Sequence, residues 1–193
     1  MTLKLIGDRA LIGMYKAGND SALTELISRY KDKVYTSILL FVKDDVLAED
    51  IFQDTFIKVI ETLRKGKYYE DGKFLPWVLR ISYNLCIDHY RKVKRAPTIT
   101  NSEGYDIFKV LKFVDDNAED RMIKKQTCAK VRQLIDQLPN EQKEVVILRH
   151  YADLSFKDIA SITNVSINTA LGRMRYALIN MRKMITERQI AIR

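Results

Sequence analysis

The residues of this chain with the clearest chemistry are polar and cationic side chains that follow one another between Ser166 and Tyr176. Arginine and asparagine form paired hydrogen bonds with base edges in the major groove of DNA, and an apolar side chain can contact a thymine methyl group. The pattern therefore predicts a helix face that reads DNA. A helical hairpin with a solvated basic face would have the same pattern. The predicted reading residues are Ser166, Asn168, Thr169, Leu171, Gly172, Arg173, Arg175 and Tyr176.

The elements that must position this face are predicted from capping and periodicity. Ser155 and Asp158 form a pattern that satisfies free amides at a helix start. Residues 163–165 break that helix, and Ser166 is a candidate N-cap for the next one. The second helix has a narrow apolar face made of Ala170, Met174, Ala177 and Met181. A short helix, a turn and a longer helix predict a helix-turn-helix.

A second polar face is predicted on a long helix from about Phe74 to Lys94, with Pro76 in its first turn, where the missing amide costs nothing. An apolar stripe of Phe74, Val78, Ile81 and Leu85 is predicted to pack on the core. The polar face is predicted to bind nucleic acid. Its members are Trp77, Arg80, Asn84, Asp88, Arg91 and Lys92.

Aromatic residues are interleaved with the cations of this second region. Unstacked bases lie on such rings while cations follow the phosphates. Two other interpretations stay open, because a lone tryptophan at helical spacing is typical of a core or boundary residue, and a basic run at a helix end complements the helix dipole. The aromatic residues are Tyr68, Tyr69, Trp77, Tyr83 and Tyr90.

The sequence gives no support to an enzyme or a metalloprotein. No phosphate-binding glycine loop, nucleophile–base set or paired-carboxylate pattern occurs. Cys86 and Cys128 lack any Cys-x-x-Cys spacing, and Cys86 with His89 supplies only two of the ligands that a zinc site needs. No catalytic residue, metal site or cofactor is therefore predicted.

Charge is unevenly distributed along the 193 residues, whose formal net charge is +8. Residues 1–95 have 17 basic and 13 acidic side chains, residues 96–121 have 3 and 6, and residues 122–193 have 13 and 6. Basic ends favour a polyanionic partner, although charge alone does not separate nucleic acid from an anionic membrane. No apolar run is long enough to cross a bilayer and no signal peptide is recognisable, so a cytoplasmic protein without membrane insertion is expected.

Helical periodicity dominates and strand-like alternation is missing, so the predicted fold class is all-α, with two small helical domains. The predicted domains are residues 1–95 and 122–193, joined by an acidic linker, 96–121. The other helices are predicted from Asp8 to Ala17, from Asp20 or Ser21 to before Lys43, from about Val46, from about Asp120 to Gln137, and from about Leu138.

These motifs, taken in order, resemble those of bacterial RNA polymerase sigma factors of the extracytoplasmic-function group, which have only regions 2 and 4 of the sigma-70 family. Residues 50–56 resemble the family pattern Asp-x-x-Gln-Glu-Thr-Phe, and residues 77–84 resemble Trp-Leu-x-x-Ile-x-x-Asn. Further matches follow in the C-terminal part at Leu138-Pro139, Leu154-Ser155 and Asn168-Thr169 with Arg173. Their order across two domains is more specific than any one of them.

The resemblance implies a transcription initiation factor that binds the polymerase core and directs promoter recognition and opening. Asp50, Gln53 and Asp54 would dock on the coiled coil of the beta-prime subunit, unless they are an ordinary solvated face. The helix from Trp77 to Arg95 would contact the minus 10 element, with the loop from Lys65 to Lys73 near a flipped-out base.

For the rest of the chain, the resemblance implies a C-terminal domain that reads the minus 35 element and contacts the beta flap, an acidic linker inside the polymerase, and an anti-sigma factor as a partner common in the family. Leu171, Gly172 and Tyr176 depart from the family pattern. A glycine inside a helix loses about 1 kcal/mol against alanine. The alternatives are a stand-alone helix-turn-helix regulator and a helical adaptor that binds only protein.

Overall fold

The structure is a computed structural model that describes residues 3–69, 71–95 and 129–189. Every regular element in these ranges is helical, which confirms the all-α prediction. The chain divides into two compact units, residues 1–102 (the N-terminal unit) and 103–193 (the C-terminal unit). The predicted linker, 96–121, lies outside the described residues, so its bounds stay a prediction. Within the described ranges, no helix combines the length and apolar character that crossing a bilayer requires.

The N-terminal unit begins with a short 3-10 helix, Leu3–Leu5, and continues with four α-helices whose positions agree with the predicted ones to within about two residues. α2 packs against α1, α3 and α4, so it forms the centre of the unit. The four helices are α1 (Asp8–Lys16), α2 (Asp20–Val42), α3 (Asp45–Arg64) and α4 (Phe74–Arg95).

Local signals explain where these helices begin. The Asn19 side chain accepts a hydrogen bond from the Ser21 amide at 3.1 Å, so α2 starts at Asp20 as predicted. Asp44 caps α3 in the same way through the Leu47 amide at 2.9 Å. Both caps satisfy amides that the first helical turn leaves without a partner.

Aromatic side chains fill much of the N-terminal core. The Phe41 ring lies 5.6 Å from Tyr83, and the Phe52 ring lies 4.9 Å from Phe56, both in edge-on geometry. Phe74, only 1% exposed, contacts several further rings. Edge-on aromatic pairs contribute roughly 0.5–1.5 kcal/mol beyond the area that they bury.

The buried face of α4 is broader than the predicted stripe. Phe74 and Val78 are buried as expected, but Ile81 and Leu85 are only half-buried. The stripe prediction was wrong at these two positions because α4 packs against both α2 and α3, and its most buried row runs from Val78 through Ser82 to Cys86 instead. The other buried members are Leu79, Ser82, Tyr83 and Cys86.

The C-terminal unit contains a helix-turn-helix, as predicted. The helix α5 is described over residues 129–136, and its predicted start near Asp120 lies outside the described residues. Asn164 closes α7 in the left-handed region with φ 55°, a conformation that asparagine tolerates. The three helices that follow α5 are α6 (Asn140–His150), α7 (Phe156–Thr163) and α8 (Ile167–Glu187).

Small residues are the part of α8 and α7 that lies closest to the neighbouring helices of this unit. Ala160 is 5% exposed, and Ala170 and Ala177 are fully buried, so α8 approaches α6 and α7 closely. Half-buried Met174 and Met181 cover the cluster that surrounds Ala177, in agreement with the predicted apolar face. The buried members of that cluster are Ile135, Leu138, Val146 and Ala177.

Candidate nucleic-acid interface

The predicted polar face of α4 is exposed to solvent. Asp88 and Arg91 form an ion pair of 3.5 Å, but their side chains are 61% and 70% exposed, so the pair holds the arginine only weakly. Arg91 therefore stays accessible to a phosphate. The exposed members of the face are Arg80, Asn84, Asp88, Arg91 and Lys92.

Trp77 is half-buried at the start of the same face. Its ring centroid lies 4.3 Å from Tyr68 and 5.8 Å from Phe74. The structure therefore agrees with the boundary interpretation of Trp77 and still leaves part of the ring open to solvent. A base could stack on Trp77 only on the side that Tyr68 does not cover.

Two of the tyrosines expected to stack on bases cannot do so in this conformation. Tyr68 is 5% exposed and Tyr83 is 9% exposed, because each ring packs against the core. Tyr69 is 88% exposed and agrees with the expectation. Tyr90 is 46% exposed, but its hydroxyl donates to the carbonyl oxygen of Phe41, and burial raises its pKa.

The three predicted polymerase-docking residues of α3 are all exposed and share one side of the helix. Sequence reasoning missed two apolar residues beside them, Val46 (71% exposed) and Ile57 (54% exposed). Their spacing from Asp50 and Asp54 was visible in the sequence, but apolar residues at helical spacing are usually assigned to the core. The face consists of Val46, Asp50, Gln53, Asp54 and Ile57.

The start of the reading helix α8 is set by Ser166. Its hydroxyl oxygen accepts from the Thr169 amide at 3.0 Å and lies 2.8 Å from the Thr169 hydroxyl. Both hydroxyls therefore have a structural function, in addition to any contact with DNA. Past this cap the predicted residues are largely open, with Leu171 44% and Tyr176 61% exposed. Asn168 and Arg175 are also exposed, while Gly172 is half-buried.

Arg173 is more constrained than the sequence suggested. Its side chain is 25% exposed and lies 4.0 Å from the Glu144 carboxylate on α6, whose side chain is 16% exposed. Asn180 also contacts α6, because its side-chain amide donates to Gln142 at 2.9 Å. Sequence reasoning did not predict the contacts of Arg173 with Glu144 and of Asn180 with Gln142, since the pairing of α6 with α8 has no local signal. Arg173 therefore lies at the contact between α6 and α8 as well as on the predicted reading face.

An open groove of about 460 Å³ lies along α8, on the side that faces the start of α7. Its apolar lining includes Leu178 and Ile179, which are 42% and 45% exposed. The sequence reasoning did not identify this groove. The remaining lining residues are Phe156, Leu171, Met174, Arg175 and Arg182.

The cysteine of α4 does not belong to a reactive or metal-binding site. Cys86 is 1% exposed, and burial raises the pKa of its thiol to about 12. Throughout the part of the chain that the structure describes, no three His, Cys, Asp or Glu side chains group as metal ligands would. Cys128 lies outside the described residues.

Comparison with known proteins gives a coherent result. The family model Sigma-70 region 2 matches residues 26–96, and Sigma-70, region 4 matches residues 128–175. The RNA polymerase sigma-H factor of Pseudomonas aeruginosa is 29% identical, and the match covers 86% of this chain and 88% of that protein. The ECF RNA polymerase sigma factor SigW of Bacillus subtilis is 26% identical over 91% of this chain and 95% of that protein.

Solved structures agree in fold. The sigma factor RpoE of Bartonella quintana, solved with the anti-sigma factor NepR, has a TM-score of 0.66 at 16% identity and covers 85% of this chain and 96% of its own. CnrH, solved with the cytosolic domain of CnrY, has a TM-score of 0.64 at 20% identity over 93% of this chain and 97% of its own. With both regions matched in the order that the motifs indicated, the chain belongs to the sigma-70 family of RNA polymerase sigma factors, in its extracytoplasmic-function group.

Proposed function

We propose that this sigma factor binds the polymerase core through the exposed face of α3 and promoter DNA through α4 and α8. Sigma factors are initiation factors without catalytic residues, so phosphodiester chemistry belongs to the polymerase. The sigma factor acts in the cytoplasm, where the polymerase works. The observation that carries the proposal is that each matched region presents an exposed polar helix face, on a helix whose opposite side contributes buried residues to its unit.

The exposed faces of α3 and α4 differ in charge, and this difference suits them to different partners. Asp50 and Asp54 give α3 a negative face that repels DNA and suits a cationic protein surface, and exposed Val46 and Ile57 supply apolar contact area beside it. On α4, Arg80, Arg91 and Lys92 neutralise phosphates of a strand that is being opened.

The α8 face enters the major groove of the upstream element in this proposal. Ser166 and Thr169 hold the helix start, whose free amides favour a phosphate, and Asn168 and Arg175 reach base edges. Leu171 meets a thymine methyl group. The proposed domain bounds are 1–95 for region 2 and 122–193 for region 4, and the matches to 26–96 and 128–175 support them.

An anti-sigma factor is proposed as a further partner. The groove on α8 is lined by exposed Leu171, Leu178 and Ile179 together with Arg175 and Arg182, and an exposed apolar surface next to charged residues is typical of a protein-binding site. RpoE of Bartonella quintana, which has a similar fold, was solved with an anti-sigma factor.

Transcription from promoter DNA with purified core polymerase tests the proposal. The wild-type chain should direct transcripts that start at discrete sites, and it should bind DNA specifically only together with the core. Absence of any promoter-dependent transcript would sink the proposal. Salt-dependent operator binding by the chain alone would point to a stand-alone regulator, and no DNA binding in either condition would point to a protein-only adaptor.

The α3 contact is tested by removing its charge. The double variant Asp50→Asn with Asp54→Asn should weaken core binding roughly tenfold or more, because it removes two charges of the docking face. A matched control, Asp32→Asn with Glu187→Gln, removes two exposed carboxylates elsewhere and should bind as the wild type does. Fluorescence anisotropy of labelled protein against core measures both affinities. Equal weakening in both double variants would assign the effect to net charge.

A further inference from the structure

Helix α1 precedes the region 2 match, which starts at residue 26, and yet its last turn contacts the segment that leads into α4. The Arg64 Nε atom donates to the Tyr15 hydroxyl oxygen at 3.2 Å. The Lys16 Nζ atom donates to the carbonyl oxygen of Tyr68 at 3.3 Å. Arg64 ends α3 and Tyr68 lies in the connection to α4, so α1 holds both ends of residues 64–68.

Tyr68 is the fixed point of that connection. Its ring is 5% exposed and packs 4.3 Å from Trp77 and 6.0 Å from Phe74, measured between ring centroids. The next residue, Tyr69, is 88% exposed. Because consecutive Cα atoms lie about 3.8 Å apart, the position of Tyr68 determines where the Tyr69 side chain leaves the unit. It also determines which side of Trp77 stays open.

The other end of α1 is held as firmly. The Asp8 carboxylate accepts from Arg29 at 2.6 Å and from the Tyr30 hydroxyl. The Tyr30 ring in turn lies 5.9 Å from Phe74, which packs on Tyr68. Lys16 therefore donates from a helix whose two ends both contact residues around Phe74 and Tyr68.

We propose that Tyr15 and Lys16 are positioning residues for recognition of the opened promoter strand. They act through Arg64 and Tyr68, which set the geometry of the exposed Tyr69 ring and of the open side of Trp77. The inference rests on the proposed promoter-binding function of α4. It adds a specificity determinant from a helix that precedes the matched region.

Base preference measured with the reconstituted holoenzyme tests this. A promoter library randomised separately in its upstream and downstream elements is transcribed, and the transcripts are sequenced. Lys16→Met should lower discrimination at a position of the downstream element roughly two- to tenfold, as expected for the loss of one hydrogen bond. Preference in the upstream element should stay unchanged. Lys16→Arg keeps a donor and should restore discrimination.

Lys31→Met is the matched control, because Lys31 is exposed on α2, and it should behave as the wild type. Tyr15→Phe removes only the oxygen that accepts from Arg64. It should lower discrimination at the same promoter position by a smaller factor than Lys16→Met does. Amide hydrogen exchange in the isolated full chain gives a readout that does not depend on transcription. Residues 65–69 should exchange faster in Lys16→Met, while α3 should exchange as before.

If Lys16→Met keeps the wild-type base preference at every promoter position, the inference is overturned, and the proposed function is not affected. An equal loss in both elements, together with a lower Tm, also overturns it, because it indicates general destabilisation. If the wild-type chain gives no promoter-dependent transcript, the proposed function fails and this inference fails with it. Unchanged exchange of residues 65–69 in Lys16→Met would contradict the positioning contact itself.

Discussion

The N-terminal and C-terminal units build their reading helices on different kinds of core. Around α4, large rings such as Tyr30, Phe74 and Tyr83 fill the space between long helices. The buried residues of α8 itself are alanines, Ala170 and Ala177, of which Ala177 contacts aliphatic side chains of other helices, with half-buried methionines at the edge. The position of α4 is therefore set by large aromatic side chains that fill the space between helices. The position of α8 is set by alanines that let its backbone lie close to the neighbouring helices.

This difference changes what the reading residues must do. Most of the polar face of α4 is separate from its packing face, so Asn84 and Lys92 are exposed. On α8, Arg173 and Asn180 lie at the contact with α6. Arg173 thus combines a predicted reading function with a helix contact, whereas most of the predicted reading residues of α4 lie outside its packing face and Trp77 lies at the boundary.

The largest expected effect is on the ring-filled core. Phe74→Ala removes a ring that is 1% exposed and should lower the free energy of unfolding by roughly 3–5 kcal/mol. Trp77 is the only tryptophan of the chain and packs on Phe74, so its fluorescence in a urea titration reports the N-terminal unit. Leu5→Ala, at a side chain 92% exposed, is the control and should leave the transition unchanged.

Enlarging a small residue should damage the other unit. Ala177→Leu inserts extra methylene groups at a fully buried helix contact and should cost roughly 1–3 kcal/mol. Circular dichroism should show the C-terminal unit melting earlier, while the Trp77 signal stays in place. Ala10→Leu, at an exposed position of α1, is the matched control. If Ala177→Leu is as stable as the wild type, the packing of this unit does not depend on a small residue at Ala177.

Two functions of Arg173, its contribution to stability through Glu144 and its predicted contact with a base, can be tested separately. Glu144→Gln should lower the free energy of unfolding by about 1 kcal/mol, the upper end for ion pairs of modest burial, and leave upstream-element binding intact. Arg173→Ala should lower stability similarly and also weaken that binding by roughly 1–3 kcal/mol if the guanidinium reads a base. Holoenzyme binding to duplex upstream DNA distinguishes the two. Equal affinity for Arg173→Ala and wild type would remove Arg173 from the reading surface.

The smallest expected effect concerns alkaline pH. Burial first, then the hydrogen bond to Asp8, raises the pKa of Tyr30 to about 12. The folded state thus favours the neutral hydroxyl, so this stabilisation is complete below about pH 10, the unfolded pKa, and is lost as pH rises towards 12. In Tyr30→Phe, the urea midpoint followed by Trp77 should depend less on pH between about 9.5 and 11. If Tyr30→Phe and the wild type show the same pH dependence, the alkaline loss of stability does not come from Tyr30.

The sequence predicted the helices well because their ends depend on local chemistry. Ser155 and Ser166 as N-caps follow from residue type and position alone. Burial in loops and contacts between helices were not predictable in this way. Tyr68 and Tyr69 are adjacent and identical in type, yet Phe74 and Trp77 bury only the first. The roles of Asp50, Gln53 and Asp54 came from the resemblance and stay predictions.

The buried thiol of Cys86 has a consequence for oxidative stress. Oxidants such as hydrogen peroxide react with the thiolate, and a group with a pKa of about 12 is almost wholly protonated at neutral pH. Its position in the interior also keeps dissolved oxidants away from the sulfur. Helix α4 can therefore keep its shape, and with it the exposed polar face, in a cell whose other thiols are being oxidised.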